Sequence, residues 1–548
     1  MILKKMNVLG FLLVFTLQMA SANSPYNKNH TFFNDSTKKL KAPLNWFNLD
    51  LETDNVRGIS TEKAYKEILS NKSSKTVVVA VIDSGIDIEH EDLEGKIWVN
   101  TNEIVGNGID DDGNGYIDDV FGWNFIGGKD GSHVGHDTYE ITREYKRLHA
   151  KYKGKTLNNV SKKEKEEFNY YTKVKEDFLD NVKQYRETLS NIETFQDNYN
   201  KAIKLMKIYL EVDEVTAENI KNVNSEDPKI QGAVQLLNYA FSNGIDENQF
   251  KEIINYYTEG IEYGYNTDFE PRTIVGDNFE DKKEKFYGNP DVEGPDAEHG
   301  THVAGIIGAN RDNELGIGGV ADNVRIMALR AVPNGDERDK DIANAIYYAV
   351  DNGAKIINMS FGKSYSPSKV VVDKAVKYAQ KKGVLIIHAA GNDAENIDET
   401  ANFPTATFEG KKKEAQNWLE IGASSWVTDN NFVASFSNYG KTKVDIFAPG
   451  VDIFSSIPGS EYKENSGTSM AAPVVSGVAA LLMSYYPELS AADVKDILVQ
   501  SAIKYDDDVN KPGGGNTPFN SLSKTGGIIN AYEAVKMAEQ KTLQIRKK

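Results

Sequence analysis

The sequence predicts an α/β fold, a parallel sheet flanked by helices. Three observations carry that prediction. Short β-branched runs recur along the chain, at 76–83 (TVVVAVID), Val324–Arg330, Lys355–Ser360, Gly383–Ala389 and Val444–Phe447. Near-continuous apolar runs of this kind suit strands buried on both faces, as parallel strands are. Helix-like stretches alternate with them, at Asp341–Asn352, Ser368–Lys382, Pro473–Tyr485 and Ala491–Ala502. Strand and helix in alternation are the pattern of a parallel sheet with crossover helices. The third observation is length, since 548 residues exceed one ordinary core and leave room for a second unit.

That second unit is visible where the alternation stops. From about 126 to 285 the β-branched runs vanish and Lys, Glu, Asn and Tyr dominate. Ser161-Lys162-Lys163-Glu164 reads as a capping box at a helix start. After it come Tyr171, Val174, Phe178, Val182, Tyr185, Leu189, Ile192, Tyr199, Ile203, Met206 and Leu210, spaced by threes and fours, with Gln196 the one polar break. Such a stripe belongs to a long helix that packs against another helix. Further helices are expected at Thr216–Val223, Lys229–Ser242 and Glu247–Tyr263. The reading is a large all-helical insertion over 126–285. The sheet domain on either side covers 46–125 and 286–536, with an N-terminal arm at 23–45 and a tail at 537–548.

Residues 1–22 read as a secretory signal. Lys4 and Lys5 form the positive start, Val8–Leu17 the apolar stretch, and Ala20-Ser21-Ala22 a small-residue cleavage site. The alternative is a membrane anchor, but the apolar stretch is short of the roughly 20 residues that span a bilayer. The expectation is an exported protein, periplasmic or secreted, with no stable membrane insertion after signal cleavage. A net charge of −18 argues against nucleic acid or an anionic membrane as partner. The chain has no Cys, which excludes disulfides, thiolate catalysis and a lipid-modified N-terminal Cys.

Three short segments carry chemistry. Val79-Ala80-Val81-Ile82-Asp83-Ser84-Gly85 puts a carboxylate at the end of a buried strand, the edge where open parallel sheets bind ligands. His299-Gly300-Thr301-His302-Val303-Ala304-Gly305 presents a His at the start of a small-residue helix. Gly467-Thr468-Ser469-Met470-Ala471-Ala472-Pro473 puts a Ser at the mouth of another, where helix N–H groups favour developing negative charge. Each residue alone has an ordinary explanation: a turn Asp, a surface His, a helix-capping Ser. Together they supply the hydroxyl nucleophile, imidazole base and orienting carboxylate of acyl transfer. Asn392, in Ala389-Ala390-Gly391-Asn392, follows a buried strand and can supply an amide N–H to an oxyanion, with the Ser469 backbone N–H as the other donor.

The VIDSGID, HGTHVAG and GTSMAAP blocks, in that order, resemble the subtilisin-like serine protease (subtilase) family. Ile357-Asn358-Met359-Ser360-Phe361-Gly362 and Ala389-Ala390-Gly391-Asn392 stand between His and Ser as that family places them. The resemblance covers about 46–125 and 286–536. It implies a subtilisin-like sheet, endopeptidase activity on protein or peptide substrates, and calcium-stabilised loops. By position, Asp83 would orient, His299 act as base then acid, Ser469 attack, and Asn392 bind the oxyanion. His302 is left a structural part. Ser360, Phe361 and Gly362, with Gly391, match the backbone that binds extended substrate, and Phe403-Pro404 a position where the family often carries a cis peptide. The chain departs from the family in two respects. His299 follows Asp83 by 216 positions, far beyond the usual spacing, which the insertion explains. Little room is left before Asp83 for the folding-assistant propeptide that many relatives carry.

Asp110-Asp111-Asp112-Gly113-Asn114-Gly115-Tyr116-Ile117-Asp118 fits the first nine places of an EF-hand loop. Asp110, Asp112 and Asn114 take positions 1, 3 and 5, Gly115 the turn, Tyr116 a backbone carbonyl at 7 and Asp118 position 9. Phe121 stands where the bidentate Glu belongs, and Asp119 is a substitute for it. Oxygen ligands without His or Cys favour Ca²⁺, a structural ion rather than a catalytic cofactor. The alternative is a solvated acidic turn. Asp92 with the loop Asn310–Ile317 resembles a second calcium loop of some subtilisins. Two other functions compete with an active endopeptidase. One is a protein-binding or chaperone module on a protease fold, which the complete set of three residues argues against. The other is a lipase or esterase, whose usual G-x-S-x-G elbow is not what surrounds Ser469.

Overall fold

The computed structural model describes residues 41–411 and 413–547; the expected leader and residues 23–40 of the expected arm lie outside them. The described chain divides into two units, residues 41–140 with 270–547, and residues 141–269.

After short helical segments at Leu51–Asp54, Thr61–Ala64 and Tyr65–Leu69, the principal elements begin, in chain order, with β1 (Val77–Asp83) and β2 (Gly122–Asn124). The helices α1 (Glu140–Tyr152), α2 (Lys165–Leu210), α3 (Pro228–Ser242) and α4 (Glu247–Glu259) follow. Next come α5 (Glu298–Gly308), β3 (Val324–Arg330), α6 (Asp339–Asp351), β4 (Ile356–Met359), α7 (Lys369–Lys382), β5 (Leu385–Ala389) and β6 (Trp418–Ser424). The remainder is β7 (Ile446–Pro449), the hairpin β8 (Ile453–Ile457) and β9 (Glu461–Asn465), α8 (Thr468–Tyr485), α9 (Ala491–Gln500) and β10 (Ile503–Lys504). A second hairpin, β11 (Asp508–Asn510) and β12 (Asn516–Pro518), then β13 (Gly527–Ile528) and α10 (Ala531–Lys547) close the chain.

The sheet of the first unit runs β10-β13-β7-β6-β5-β4-β1-β3-β2. Every neighbouring pair is parallel except β10 with β13. β1 lies between β3 and β4, with Asp83 opposite Arg330 and Val79 opposite Ile356. The strand order reverses there, which places a crevice at the C-terminal end of β1. α6 and α7 cover one face, packing Ile342, Ile346, Val372 and Val376 onto Ile357, Ile386 and Trp418. α8 packs along β1, β4, β5, β6 and β7 and is buried over nearly its whole length. It is apolar enough to cross a membrane, but 89% of it is buried inside the protein, as a helix apolar all round must be in a folded core.

The 46-residue α2 shows the expected stripe, with Tyr171, Val174, Phe178, Ile192, Tyr199 and Met206 buried. Its first half meets α1, where Tyr145 stacks on Phe178 at 4.2 Å, and its second half packs on α3 and α4 through Ile230, Leu237 and Phe250. Helices alone make up this unit among its described residues.

Four details depart from the sequence reading. The helical unit is narrower than 126–285: Phe125, Ile126, Val134, Val275 and Tyr287 join the sheet's core, so 126–140 and 270–285 belong to the first unit. These stretches make isolated bridges, Gly127 to His133 and His136 to Asn334, too short to show a period. The capping box is half formed, since Glu164 accepts from the Ser161 N–H at 3.0 Å but α2 starts only at Lys165. β6 is not among the strands expected from the sequence, because Glu420 interrupts its apolar run. The expected tail from 537 is the second half of α10, whose Ala531, Ala534, Val535, Ala538 and Thr542 form a buried face.

The returning segment 272–287 is fastened to α6 by buried charges. Arg272 donates twice to Asp341, at 2.6 and 2.8 Å, and twice to Asp277, at 2.7 and 2.8 Å. Tyr287 Oη adds a bond to Asp341 at 2.6 Å, and Lys340 Nζ reaches Asp277 at 2.6 Å and Glu284 at 2.8 Å. Removing one partner strands the other in a dry site. Asp341→Ala is therefore expected to destabilise the protein by about 3–5 kcal/mol, read as a lowered melting temperature.

Candidate active site

Five chain segments converge on the crevice at the end of β1. Asp83 is the last residue of β1, and His299 the second residue of α5. Ser469 is the second residue of α8. Ser360, Phe361 and Gly362 continue β4 without ladder bonds until Lys363 pairs with Phe403. Gly391 and Asn392 follow β5. α5 comes this close to β1 because Gly300 has no side chain: a Cβ there would lie 2.1 Å from the Gly85 carbonyl oxygen and 3.1 Å from Asp83 Cβ.

His299 Nδ1 lies 2.6 Å from Asp83 Oδ1. The Ser84 N–H donates to the same oxygen at 2.8 Å, and Asp83 is 2% exposed. With a carboxylate as acceptor the imidazole carries its proton on Nδ1, leaving Nε2 a free base site. Partial burial alone would lower the His299 pKa. The charge and hydrogen bond of Asp83 outweigh it, with Asp296 and Glu298 adding to them, and raise it above the usual 6.5. His302, one helical turn on, has the opposite fate. It is fully buried, its Nε2 lies 3.1 and 3.0 Å from the carbonyls of Ile453 and Lys463, and desolvation lowers its pKa to about 3.

The Ser469 hydroxyl donates to the Ser360 carbonyl at 2.9 Å, so it must leave that acceptor before it can donate to His299 Nε2. Ser360 Oγ in turn donates to the Ser469 carbonyl at 2.9 Å. Pro473 explains that acceptor: four residues on in α8, it has no N–H with which to complete the helical bond to Ser469. Asn358 Nδ2 holds Ser360 Oγ at 2.9 Å, and Ser476 Oγ holds Asn358 at 2.8 Å. Asn392 is fixed by its oxygen, which accepts from the Thr468 N–H at 2.8 Å and Thr468 Oγ1 at 2.9 Å. Its Nδ2 is thereby turned away as a donor beside Gly467. The arrangement holds a hydroxyl, an imidazole paired with a carboxylate, and oriented amide donors at one edge, the parts that acyl transfer requires.

Gly362 has no room for a side chain, since a Cβ would meet Asn402 Oδ1 at 2.3 Å; Gly391 stands at φ +99° with Asn438 as close. Phe403–Pro404 is cis. Phe361 packs edge-on against His388, whose Nδ1 lies 2.8 Å from Glu420. Trp418 Nε1 takes the other Glu420 oxygen at 2.8 Å. This second, fully buried histidine–carboxylate pair escaped the sequence reading, because nothing local links residues 32 positions apart.

The acidic loop differs in membership from its EF-hand reading. Carboxylate oxygens of Glu103, Asp112 and Asp119 lie within 4.8 Å of one another. Asp118 turns away at φ +56° and accepts instead from the Asn107 and Gly108 N–H groups. Asn114 faces Asp112 and Asp119 with its Nδ2, at 3.2 and 3.0 Å, and gives its oxygen to the Tyr116 N–H. Asp110 accepts from the N–H groups of Asn114 and Gly115, and the Tyr116 ring packs among Trp123, Phe125, Phe286 and Tyr348. Burial, with the charge of Asp112, pushes Asp119 up to about 6. At the other expected loop, Asp92 accepts from Asn313 Nδ2 at 2.8 Å and from the Ile317 N–H at 3.2 Å.

A family profile described as the subtilase family matches residues 74–525. The chain is 40% identical over 277 residues to a thermophilic serine proteinase of Bacillus sp. (strain AK1), covering 50% of this chain and 59% of that protein. It is 37% identical over 243 residues to thermitase of Thermoactinomyces vulgaris, covering 43% and 74%, and 36% identical over 212 residues to subtilisin DY of Bacillus licheniformis, covering 38% and 72%.

The two histidines give a direct check. In an NMR titration His299 is expected to protonate above pH 6.5 and His302 to stay neutral down to about pH 3. Between 6.5 and 3 the unfolded chain takes up a proton that folded His302 refuses. Its contribution therefore makes stability fall as pH falls through that window.

Proposed function

The chain belongs to the subtilase family of serine-type endopeptidases, and on that premise we propose that it is an exported protease cleaving protein or peptide substrates through Asp83, His299 and Ser469. The observation that supports the triad is the 2.6 Å contact of His299 Nδ1 with Asp83 at the edge that also carries Ser469. Ser469 Oγ attacks the substrate carbonyl carbon as His299 Nε2 takes its proton. The oxyanion that forms is held by Asn392 Nδ2 and the Ser469 N–H. Collapse breaks the C–N bond, and His299 returns the proton to the leaving amine. Water then attacks the acyl-enzyme, with His299 again as base, and frees the acid and the Ser469 hydroxyl. Asp83 keeps the imidazole in the tautomer that these steps need. Ser360, Phe361 and Gly362 supply a backbone edge without ladder bonds for an extended substrate, opposite Gly391; the Ser360 carbonyl becomes available when the Ser469 hydroxyl leaves it.

Calcium fits the acidic loop as a structural ion. Among the described residues no Lys or Arg pairs with Glu103, Asp112 or Asp119, so their convergence lacks a counter-charge. Those three would hold the ion, which would relieve their repulsion. Export is supported by the leader-like start of the sequence, and N-terminal sequencing of the external protein should begin after Ala22.

Ser469→Ala is expected to abolish casein hydrolysis and fluorophosphonate labelling while the far-UV spectrum stays unchanged; hydrolysis at the wild-type rate would refute the assignment. Asn392→Ala should lower kcat by roughly 10²–10³-fold with little change in KM, the effect of losing one oxyanion donor. Chelation should lower the melting temperature by mass action, and Asp112→Asn should remove that sensitivity; a melting temperature indifferent to EDTA would leave the loop an acidic turn.

A further inference from the structure

The strip Ser360-Phe361-Gly362 is fixed at one end by the reciprocal bonds between Ser360 and Ser469. At its other end stands Lys363, which the proposed chemistry does not use. Its backbone pairs with Phe403 in both directions, at 2.9 and 2.8 Å. Its side chain, 1% exposed, turns into the interior and donates to Glu140 at 2.7 Å, Asp339 at 2.9 Å and the Glu337 carbonyl at 2.8 Å. A buried ammonium persists only where its three protons find acceptors, and here they do. Asp339 also accepts from Ser366 Oγ at 2.9 Å and the Ser368 N–H at 2.8 Å, so one carboxylate fixes both Lys363 and the loop after it. The acceptors come from distant parts of the chain: Glu140 is the first residue of α1, Asp339 the first of α6, and Glu337 stands two residues before α6.

We propose that Lys363 is a positioning residue for extended peptide substrates. Its buried ammonium, held by Glu140 and Asp339, sets the depth and direction of the Phe361-Gly362 backbone. This rests on the reading that the strip binds substrate. Lys363 touches no reacting atom. A peptide long enough to lie along the strip needs the anchor, whereas a small ester that reaches only Ser469 does not. The anchor also stands at the last residue before the helical unit, so the chain leaves for the insertion from the point that holds the strip.

The test compares the full-length protein with Glu140→Gln, which removes one charge but keeps an acceptor, and with Lys363→Met. Each is assayed on a blocked tetrapeptide anilide and a single-residue ester, and its fluorophosphonate labelling rate is measured. Glu140→Gln should raise KM for the tetrapeptide about 5–10-fold, the worth of roughly one net hydrogen bond, with kcat held within about twofold. Its ester turnover and labelling rate should match wild type. Lys363→Met should raise the tetrapeptide KM further, and if it does not fold, Glu140→Gln decides alone. Equal losses on tetrapeptide and ester would overturn the proposal as general destabilisation, and so would an unchanged tetrapeptide KM. A wild-type enzyme with no preference for the tetrapeptide over the ester would refute the substrate strip itself, whatever the variants do.

Discussion

A histidine ring can stand 2.6 Å from Asp83 only because α5 drives its first turn onto the end of β1, and that approach depends on an absent side chain. Any Cβ at Gly300 would overlap the Gly85 carbonyl oxygen, so helix and strand would separate and carry His299 with them. The rest of the site is arranged around this contact. β1 lies where the strand order reverses, so its neighbour β4 delivers the strip and β5, one strand further, delivers Asn392. α8 presents Ser469 to the same edge. Pro473 leaves the Ser469 carbonyl without its helical donor, and Ser360 fills the vacancy. A rule about helix hydrogen bonds thus becomes a link between the nucleophile's backbone and the strip.

The interior around this edge carries an unusual amount of charge. In the run Asp336-Glu337-Arg338-Asp339-Lys340-Asp341, Arg338 pairs with Asp137, Lys340 with Asp277 and Glu284, Asp341 with Arg272, and Asp339 with Lys363. Buried pairs of this kind contribute little net stability, because desolvation offsets their attraction. What they do well is fix position, since a misplaced partner leaves a bare charge. The segments they hold, Asp137–Glu140 and Arg272–Glu284, are the two ends from which the helical unit departs. A long insertion costs little loop-closure entropy, which grows only as the logarithm of its length. The harder requirement is that its two ends stay fixed on the sheet domain, and ion pairs to a rigid helix meet it.

The parts that the sequence made legible are those whose residues are neighbours along the chain. Asp83, His299, Ser469 and Asn392 each sit in a local block, and the period of α2 survives over 46 residues. The parts it hid are made by distant partners. Lys363 and Glu140 are 223 positions apart, and neither segment looks unusual alone. Glu420 spoiled the β6 pattern for the same reason, because a carboxylate belongs in a central strand only when His388 and Trp418 are known to receive it. Glu103 could not be found from the EF-hand spacing because it lies outside the loop. Asp118 was placed by that spacing, yet a left-handed backbone turns its carboxylate to two amides.

His299 and His302 show how far environment outweighs residue type. They lie three apart on α5, within one motif. His299 meets a carboxylate and two nearby acidic residues, and its protonated form is favoured. His302 meets carbonyls in a dry interior, and the positive field of His299 adds to the burial that keeps it neutral. In the proposed mechanism this asymmetry is useful, because His299 must become an imidazolium during each proton transfer. A second imidazolium one turn away would oppose that charge. A neutral His302 leaves the field of Asp83 unopposed, and its bonds to β8 and β9 tie α5 to the hairpin that precedes α8. The residue that stays neutral thus fixes the frame in which its neighbour takes up its proton.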